Sequence, residues 1–141
     1  MPDKISYISD LHQYQFQSDA NFEWPVIANH ADRLLLGYFK ETKLIGLLAF
    51  ERKVDDFYNW IVDLEIKKDY QGRGYGSKLL ATVMLDAFQQ GFDGFVVLQT
   101  KTNGVERYYE HLGGIRYTFS RIRFETDSSR KIVYKYLHQE V

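Results

Sequence analysis

The 141-residue sequence contains no cysteine. That absence excludes disulfide frameworks, thiolate metal sites and a catalytic cysteine, and it suits a reducing compartment. No apolar run approaches the roughly 20 residues of a membrane-spanning helix, and the polar start MPDKISYISD lacks a signal-peptide core. Neither sign of charge is in excess. With 18 basic residues against 19 acidic ones, neither nucleic acid nor a membrane surface is indicated as the main partner. His12, His30, His111 and His138 are scattered without metal-ligand spacing, so no metal is expected. There is no repeat, linker or low-complexity stretch. The expectation is one soluble, cytoplasmic domain over 1–141, long enough to bury a proper core.

What the sequence does have is concentrated between Tyr58 and Gln90, in YNWIVDLEIKKDYQGRGYGSKLLATVMLDAFQQ. This reads as a strand, a short polar loop, a glycine-rich turn and an amphipathic helix. Gly72, Gly74 and Gly76 fall where the loop becomes the helix. Glycine there lets a ligand approach the main chain without a Cβ in the way. The first helical turn also offers N–H groups with no intrahelical partner, at the positive end of the helix dipole. Together these features describe an anion site, most often for phosphate. The alternative is a glycine-softened turn without a ligand.

The spacing narrows the ligand. A dinucleotide fingerprint wants G-x-G-x-x-G directly after a strand. Here the third glycine comes one place early, Ser77 fills the expected slot, and five polar residues separate strand from turn. No Gly-Lys-Ser/Thr closes the run, so the P-loop pattern fails as well. The run does match Q-x-x-G-x-G, written as Gln71, Gly74 and Gly76. Together with the lead-in DLEIKKDYQGRGYG it resembles the acyl-CoA pyrophosphate loop of the GNAT (Gcn5-related) N-acetyltransferase superfamily. A second block, VERYYEHLGG (Val105 to Gly114), resembles that family's short helix with an aromatic-Tyr pair ending at Leu-Gly. The resemblance is strong over about 44–114 and weak before it.

The other segments are read from their patterns. Ile5 to Ile8 is a short first strand, and Pro25 opens a helix ending near His30. Arg33 to Lys40 and Leu44 to Arg52 are strands joined by the turn Glu41-Thr42-Lys43, and with Tyr58 to Ile66 they make an antiparallel meander. In the last of these strands, simple alternation puts Trp60, Val62, Leu64 and Ile66 on one face and Ile61, Asp63 and Glu65 on the other. Leu79, Leu80, Val83, Met84, Ala87 and Phe88 form the stripe of the central helix, which Gly91 stops. Phe95 to Leu98 is a buried strand parallel to Tyr58–Ile66. A helix from about Gly104 to Leu112 points Val105, Tyr108, Tyr109 and Leu112 inward. Ile115 to Glu125 and Lys131 to Leu137 alternate around Thr126-Asp127-Ser128-Ser129 and read as a terminal hairpin. The fold class is mixed α/β, in layers, with a central mostly antiparallel sheet flanked by helices, as the resemblance also implies.

The resemblance implies acetyl transfer from acetyl-CoA to an amine, without a covalent enzyme intermediate. Such chemistry needs a neutral amine, a stabilised carbonyl oxygen and a proton for the departing thiolate. Asp63 and Glu65 are the candidate bases, with Glu65 slightly preferred because it lies nearer the expected thioester. One frequent glutamate position of the family falls on Val62, so that assignment fails here. Main-chain N–H groups near Leu64 to Ile66 would hold the oxygen, where the family's strand splays from its neighbour. Tyr109 would be the general acid, since a neutral phenol can donate to a thiolate; its other reading is core packing, which is also the reading for Tyr108. The cofactor loop comprises Gln71, Gly72, Arg73, Gly74, Tyr75, Gly76 and Ser77, with Asn103 resembling a pantetheine contact. The family usually walls the acceptor with two helices before the meander, and residues 10–32 are short for that. Glu51, Asp55, Asp56, Asp63 and Glu65, interleaved with Phe57, Tyr58 and Trp60, would suit a cationic amine on a small molecule or peptide. A second copy of the chain is a further candidate partner. A non-catalytic acyl-CoA-binding module is the rival reading, and a nucleotide-binding domain is disfavoured by the glycine spacing.

Overall fold

Strands form where the sequence alternates or runs apolar, and helices where apolar residues recur near every fourth position. In the computed structural model, which describes residues 2–100 and 105–141, the strands are β1 (Lys4–Tyr7), β2 (Arg33–Lys40), β3 (Lys43–Lys53), β4 (Tyr58–Ile66), β5 (Val96–Gln99), β6 (Ile115–Arg116) and β7 (Arg121–Phe124). The helices are α1 (Trp24–Ala28), α2 (Tyr75–Gln89), α3 (Val105–His111) and α4 (Thr126–Leu137), with single 3-10 turns at Leu11–Gln13 and Lys68–Tyr70. The strands join into one sheet in the order β1-β2-β3-β4-β5-β7-β6. Its neighbours are antiparallel except β4 and β5, which α2 connects as a crossover. This is the mixed, mostly antiparallel α/β architecture expected from the sequence.

The two faces of the sheet carry separate cores. On one face Leu79, Leu80, Val83, Met84 and Ala87 of α2 pack on Leu36, Leu48, Phe50, Ile61, Val96 and Phe124, with Ile132 and Val133 of α4 closing over them. On the other face Trp24 is buried against Ile8, Leu35, Phe39, Leu44, Leu47 and Ala49. Both ends of α2 are set by glycine. Gly74, its N-cap, has φ 85°, and Gly91, just beyond its C-terminus, has φ 81°.

Four sequence expectations are corrected. Lys131 to Leu137 belongs to α4, not to a strand. Its alternation coincides with a helical stripe in which Ser129, Ile132 and Val133 are buried, with Tyr136 and Leu137 against the same core, while Tyr134 is exposed. The expected strand Ile115–Glu125 is itself the hairpin β6–β7. The faces of β4 also differ from simple alternation. Ala49 pairs with Asp63 but Phe50 with Ile61, so Val62 is an extra residue, a β-bulge. Before the bulge Ile61 faces α2; beyond it Leu64 and Ile66 do so, while Val62 joins the Trp24 side. Asp63 and Glu65 lie opposite Ala49 and Leu47, on that same Trp24 side. In α3, Tyr109 and Leu112 pack on the core as expected, whereas Val105 and Tyr108 are exposed.

Candidate active site

The site is built where β4 leaves its neighbour. Pairing of β4 with β5 runs from Asn59–Val96 to Ile61–Leu98 and stops there, although β4 continues along β3 to Ile66. The bulge at Val62 falls at the point of separation, as expected from the twist that a bulge adds. Lys67 N–H donates to Ile45 O on the β3 side at 2.8 Å. Strand alternation therefore turns the Leu64 and Ile66 N–H groups toward the opened β5 side. Gln71 agrees with this polarity, since its Nε2 donates to Ile66 O at 3.0 Å and ties the glycine loop to the end of β4.

The loop then delivers an uncapped helix. Among the described residues no side chain caps α2, and its first intrahelical bond is Lys78 N–H to Gly74 O at 3.0 Å. The N–H groups of Tyr75, Gly76 and Ser77 precede that bond and have no partner within the helix, an arrangement that can receive an anion. Gly72, with φ 79°, has nothing within 4 Å of a would-be Cβ, and at Gly74 a Cβ would meet only Tyr136, at 3.8 Å. Cations surround the turn. Lys43 Nζ and Arg73 Cζ lie 5.4 and 5.9 Å from the Tyr70 ring, and Lys78 Nζ lies 5.9 Å from the Tyr75 ring. Lys40 donates to the Tyr75 hydroxyl at 2.8 Å and holds that phenol below its ordinary range. The Tyr75 ring stacks on Tyr38 at 4.7 Å, so this residue offers the loop its main chain rather than its side chain. An open, amide-lined, cation-flanked cradle suits a pyrophosphate.

Of the residues expected to do chemistry, Asp63 and Glu65 come together on one face, 7% and 5% exposed. Glu65 is heavily engaged. Its carboxylate accepts from Ser18 Oγ at 2.7 Å, Asp19 N–H at 2.7 Å and Trp24 Nε1 at 2.8 Å. Three of about four acceptor sites are thereby filled by the chain itself. Glu51, counted in the acidic bias of the acceptor side, is paired with Arg33 and Lys53 at 2.8 and 2.7 Å. Tyr109 is partly buried with its ring 6.4 Å from that of Phe124, and burial pushes its phenol up to about 12. Tyr108, expected to pack, instead brings its hydroxyl onto Ser77 Oγ in the first turn of α2. Asn103 lies outside the described residues.

Sequence reasoning missed three features: the Tyr108–Ser77 contact, the ties of residues 18–24 to Glu65, and the reach of Tyr136 back to Gly74. Only the last left a signal, because the Ile132-Val133-Tyr136-Leu137 spacing is helical as well as alternating. A groove of about 1040 Å³ lies beside α1 and the start of β2, at the other end of the sheet from the glycine loop. Among the described residues no cluster of His, Asp and Glu is arranged to hold a metal ion, and no helix is long and apolar enough to cross a membrane.

Comparison with known proteins shows the family and the fold. The model of the Acetyltransferase (GNAT) family matches residues 4–114, well over half of the chain. No curated protein matches the sequence. Solved structures are similar at low identity. The ribosomal-protein-S18-alanine N-acetyltransferase from Escherichia coli superposes with a TM-score of 0.67 at 16% identity, over 86% of this chain and 89% of that one. An IAA acetyltransferase from Bacillus cereus gives 0.66 at 17%, over 83% and 79%. A mutant of the AtaT toxin, bound to the C-terminus of the antitoxin AtaR and acetyl-CoA, gives 0.71 at 15%, over 94% and 98%.

Proposed function

The chain belongs to the acetyltransferase (GNAT) family and is an acetyl-CoA-dependent acyltransferase, and we propose that it acetylates a primary amine of a small molecule or peptide by direct attack. The observation that carries this reading is the opening of β4 from β5 beside an uncapped helix start. It supplies outward-facing amides next to an anion cradle.

Acetyl-CoA supplies a thioester whose acetyl group is electrophilic and whose thiolate leaves. The amides of Tyr75, Gly76 and Ser77 and the cations Arg73 and Lys78 would hold its pyrophosphate. The Leu64 and Ile66 N–H groups stabilise the charge that develops on the carbonyl oxygen, and being fixed in a strand they need no reorganisation. Asp63 takes the proton that the amine must lose, since a lysine-like amine is mostly protonated near neutral pH. We assign the base to Asp63, which stands on the same face as Glu65 and two residues nearer the point where β4 leaves β5; the Glu65 carboxylate serves three donors of the chain itself. Tyr109 gives a proton to the leaving sulfur, and its raised pKa keeps the phenol protonated at any physiological pH. Tyr108, through Ser77, steadies the turn that binds the pyrophosphate.

Calorimetric titration with acetyl-CoA, using ATP and NAD as controls, tests the cofactor half of the reading. Release of free thiol with a panel of amines tests the acceptor half. Selective acetyl-CoA binding followed by amine-dependent thiol release is expected. Binding without release would make the chain an acyl-CoA-binding module. Tyr109→Phe should leave binding intact and slow turnover by about 10²-fold, whereas an unchanged rate would return Tyr109 to the core.

A further inference from the structure

The segment from Phe16 to Glu23 contains no strand or helix, yet it is fastened to the end of β4 at three nearby positions. Glu65 receives Ser18 Oγ, Asp19 N–H and the Trp24 indole. The Asp19 carboxylate accepts from Lys68 N–H at 2.7 Å and from Lys67 Nζ at 3.1 Å, while Lys67 Nζ also donates to the Gln17 carbonyl. The Trp24 ring is 1% exposed, with Phe22 and Phe16 edge-on at 6.0 and 6.4 Å. A segment without a hydrogen-bond ladder of its own is positioned by whatever side chains anchor it. Here the principal anchor is a buried carboxylate one residue beyond the Leu64 amide and two beyond Asp63.

We propose that Glu65 is a positioning residue for the amine acceptor: it latches the Gln17–Trp24 segment over the opened end of β4 and thereby sets the acceptor site, without itself taking the proton. The proposal rests on the acetyl-transfer reading above. Its geometry makes a distinct demand, because Asp19 binds Lys67 and Lys68, which lead directly into the glycine loop. Releasing Glu65 therefore frees the wall of the acceptor site while the other end of the segment stays tied beside the cofactor loop.

The test compares wild type, Glu65→Gln and Glu65→Ala in a Trp60→Phe background, where Trp24 is the sole tryptophan. Three quantities are read: acrylamide quenching of Trp24 emission, acetyl-CoA affinity by calorimetry, and thiol release with spermidine or a lysine-containing peptide between pH 6 and 9. Glu65→Ala should raise Trp24 quenching about threefold and the amine KM about tenfold or more. Its kcat and acetyl-CoA affinity should stay within about threefold, and the acid limb of the kcat/KM profile should survive. Glu65→Gln keeps an acceptor oxygen for Ser18 and Trp24 and should fall between the two; it also serves if the alanine variant does not fold. A hundredfold fall in kcat with loss of the acid limb would make Glu65 the base and overturn the proposal. So would unchanged quenching in both variants. If the wild type acetylates neither probe, the acceptor reading fails for those amines, and the quenching comparison still decides whether Glu65 is the latch.

Discussion

The two faces of the sheet are held by different kinds of bond. The α2 face is a periodic apolar stripe on a regular helix, entered through a turn with two left-handed glycines. The opposite face is covered by residues 8–30, which contain only a 3-10 turn and the five-residue α1 and are held on by Trp24, a cluster of aromatic rings and the Glu65 hydrogen bonds. One face thus rests on a regular helix whose stripe is local in sequence, whereas the cover of the other is tied down by hydrogen bonds between residues more than forty positions apart. Fixed backbone suits a cofactor that is always the same. On the proposed function, a side-chain-hung cover would let the acceptor change without disturbing the helix.

The comparison breaks most readily at Trp24. Trp24→Ala removes the largest side chain of the acceptor face and one of the Glu65 donors, and it should cost about 3–5 kcal/mol in urea unfolding. Acetyl-CoA affinity of the folded variant should stay within about threefold. If affinity falls in step with stability, the faces are one cooperative unit and the contrast drawn above is wrong.

The converse is Gly74→Glu. A carboxylate in the pyrophosphate cradle, on a residue with φ 85°, should weaken acetyl-CoA by at least 100-fold, about 2.8 kcal/mol. The Trp24 environment should not change. Affinity that survives the substitution would remove the glycine loop from the cofactor site.

These two sites also mark what could be read from the sequence. The glycine turn and its helix were legible because the signal lies in spacing: Gln71, Gly74 and Gly76 stand before an unmistakable stripe from Leu79 to Phe88. The meander was legible because the apolar runs of β2, β3 and β4 are separated by short polar turns. The faces of β4 were not, since a bulge at Val62 depends on register with β3 and leaves no mark in β4 itself. The partners of Glu65 were hidden for a related reason. A carboxylate on a strand offers the same letters whether it meets a substrate or the indole of Trp24, 41 positions away. At the C-terminus the difficulty was ambiguity, because KIVYKYL satisfies both a period of two and a helical face, and only the presence of α2 beneath it decides.

Alkaline pH sharpens the contrast further, because Tyr109 and Tyr38 both pack into the α2 face. Burial raises the folded pKa of Tyr109 to about 12 from an ordinary value of 10.0. The folded state then holds a proton that the unfolded chain releases, so this contribution is complete below pH 10 and is lost as pH rises from 10 through 12. The loss amounts to at most about 2.7 kcal/mol. Tyr38 is raised in the same direction, by burial and then by its hydrogen bond to Asp3. Tyr109→Phe should therefore flatten part of the decline in urea stability between pH 9 and 11, not all of it. Parallel curves for wild type and variant would mean that the Tyr109 phenol is not desolvated.

The smallest effect makes the finest distinction. Gly91 and Gly74 have nearly the same backbone, φ 81° and 85°, at opposite ends of α2, and a Cβ would meet nothing within 4 Å at Gly91 and only Tyr136 at 3.8 Å at Gly74. Substituting alanine at either should therefore cost the same backbone strain, about 1–2 kcal/mol of stability and little else. Acetyl-CoA separates them. Gly74→Ala tightens the turn that must admit a pyrophosphate and should weaken binding severalfold, while Gly91→Ala should leave the affinity unchanged. Equal losses of affinity would show that binding reports the stability of the whole helix; a loss confined to Gly74 would place the cofactor energy in the N-terminal turn, where the amides of Tyr75, Gly76 and Ser77 precede the first helical bond.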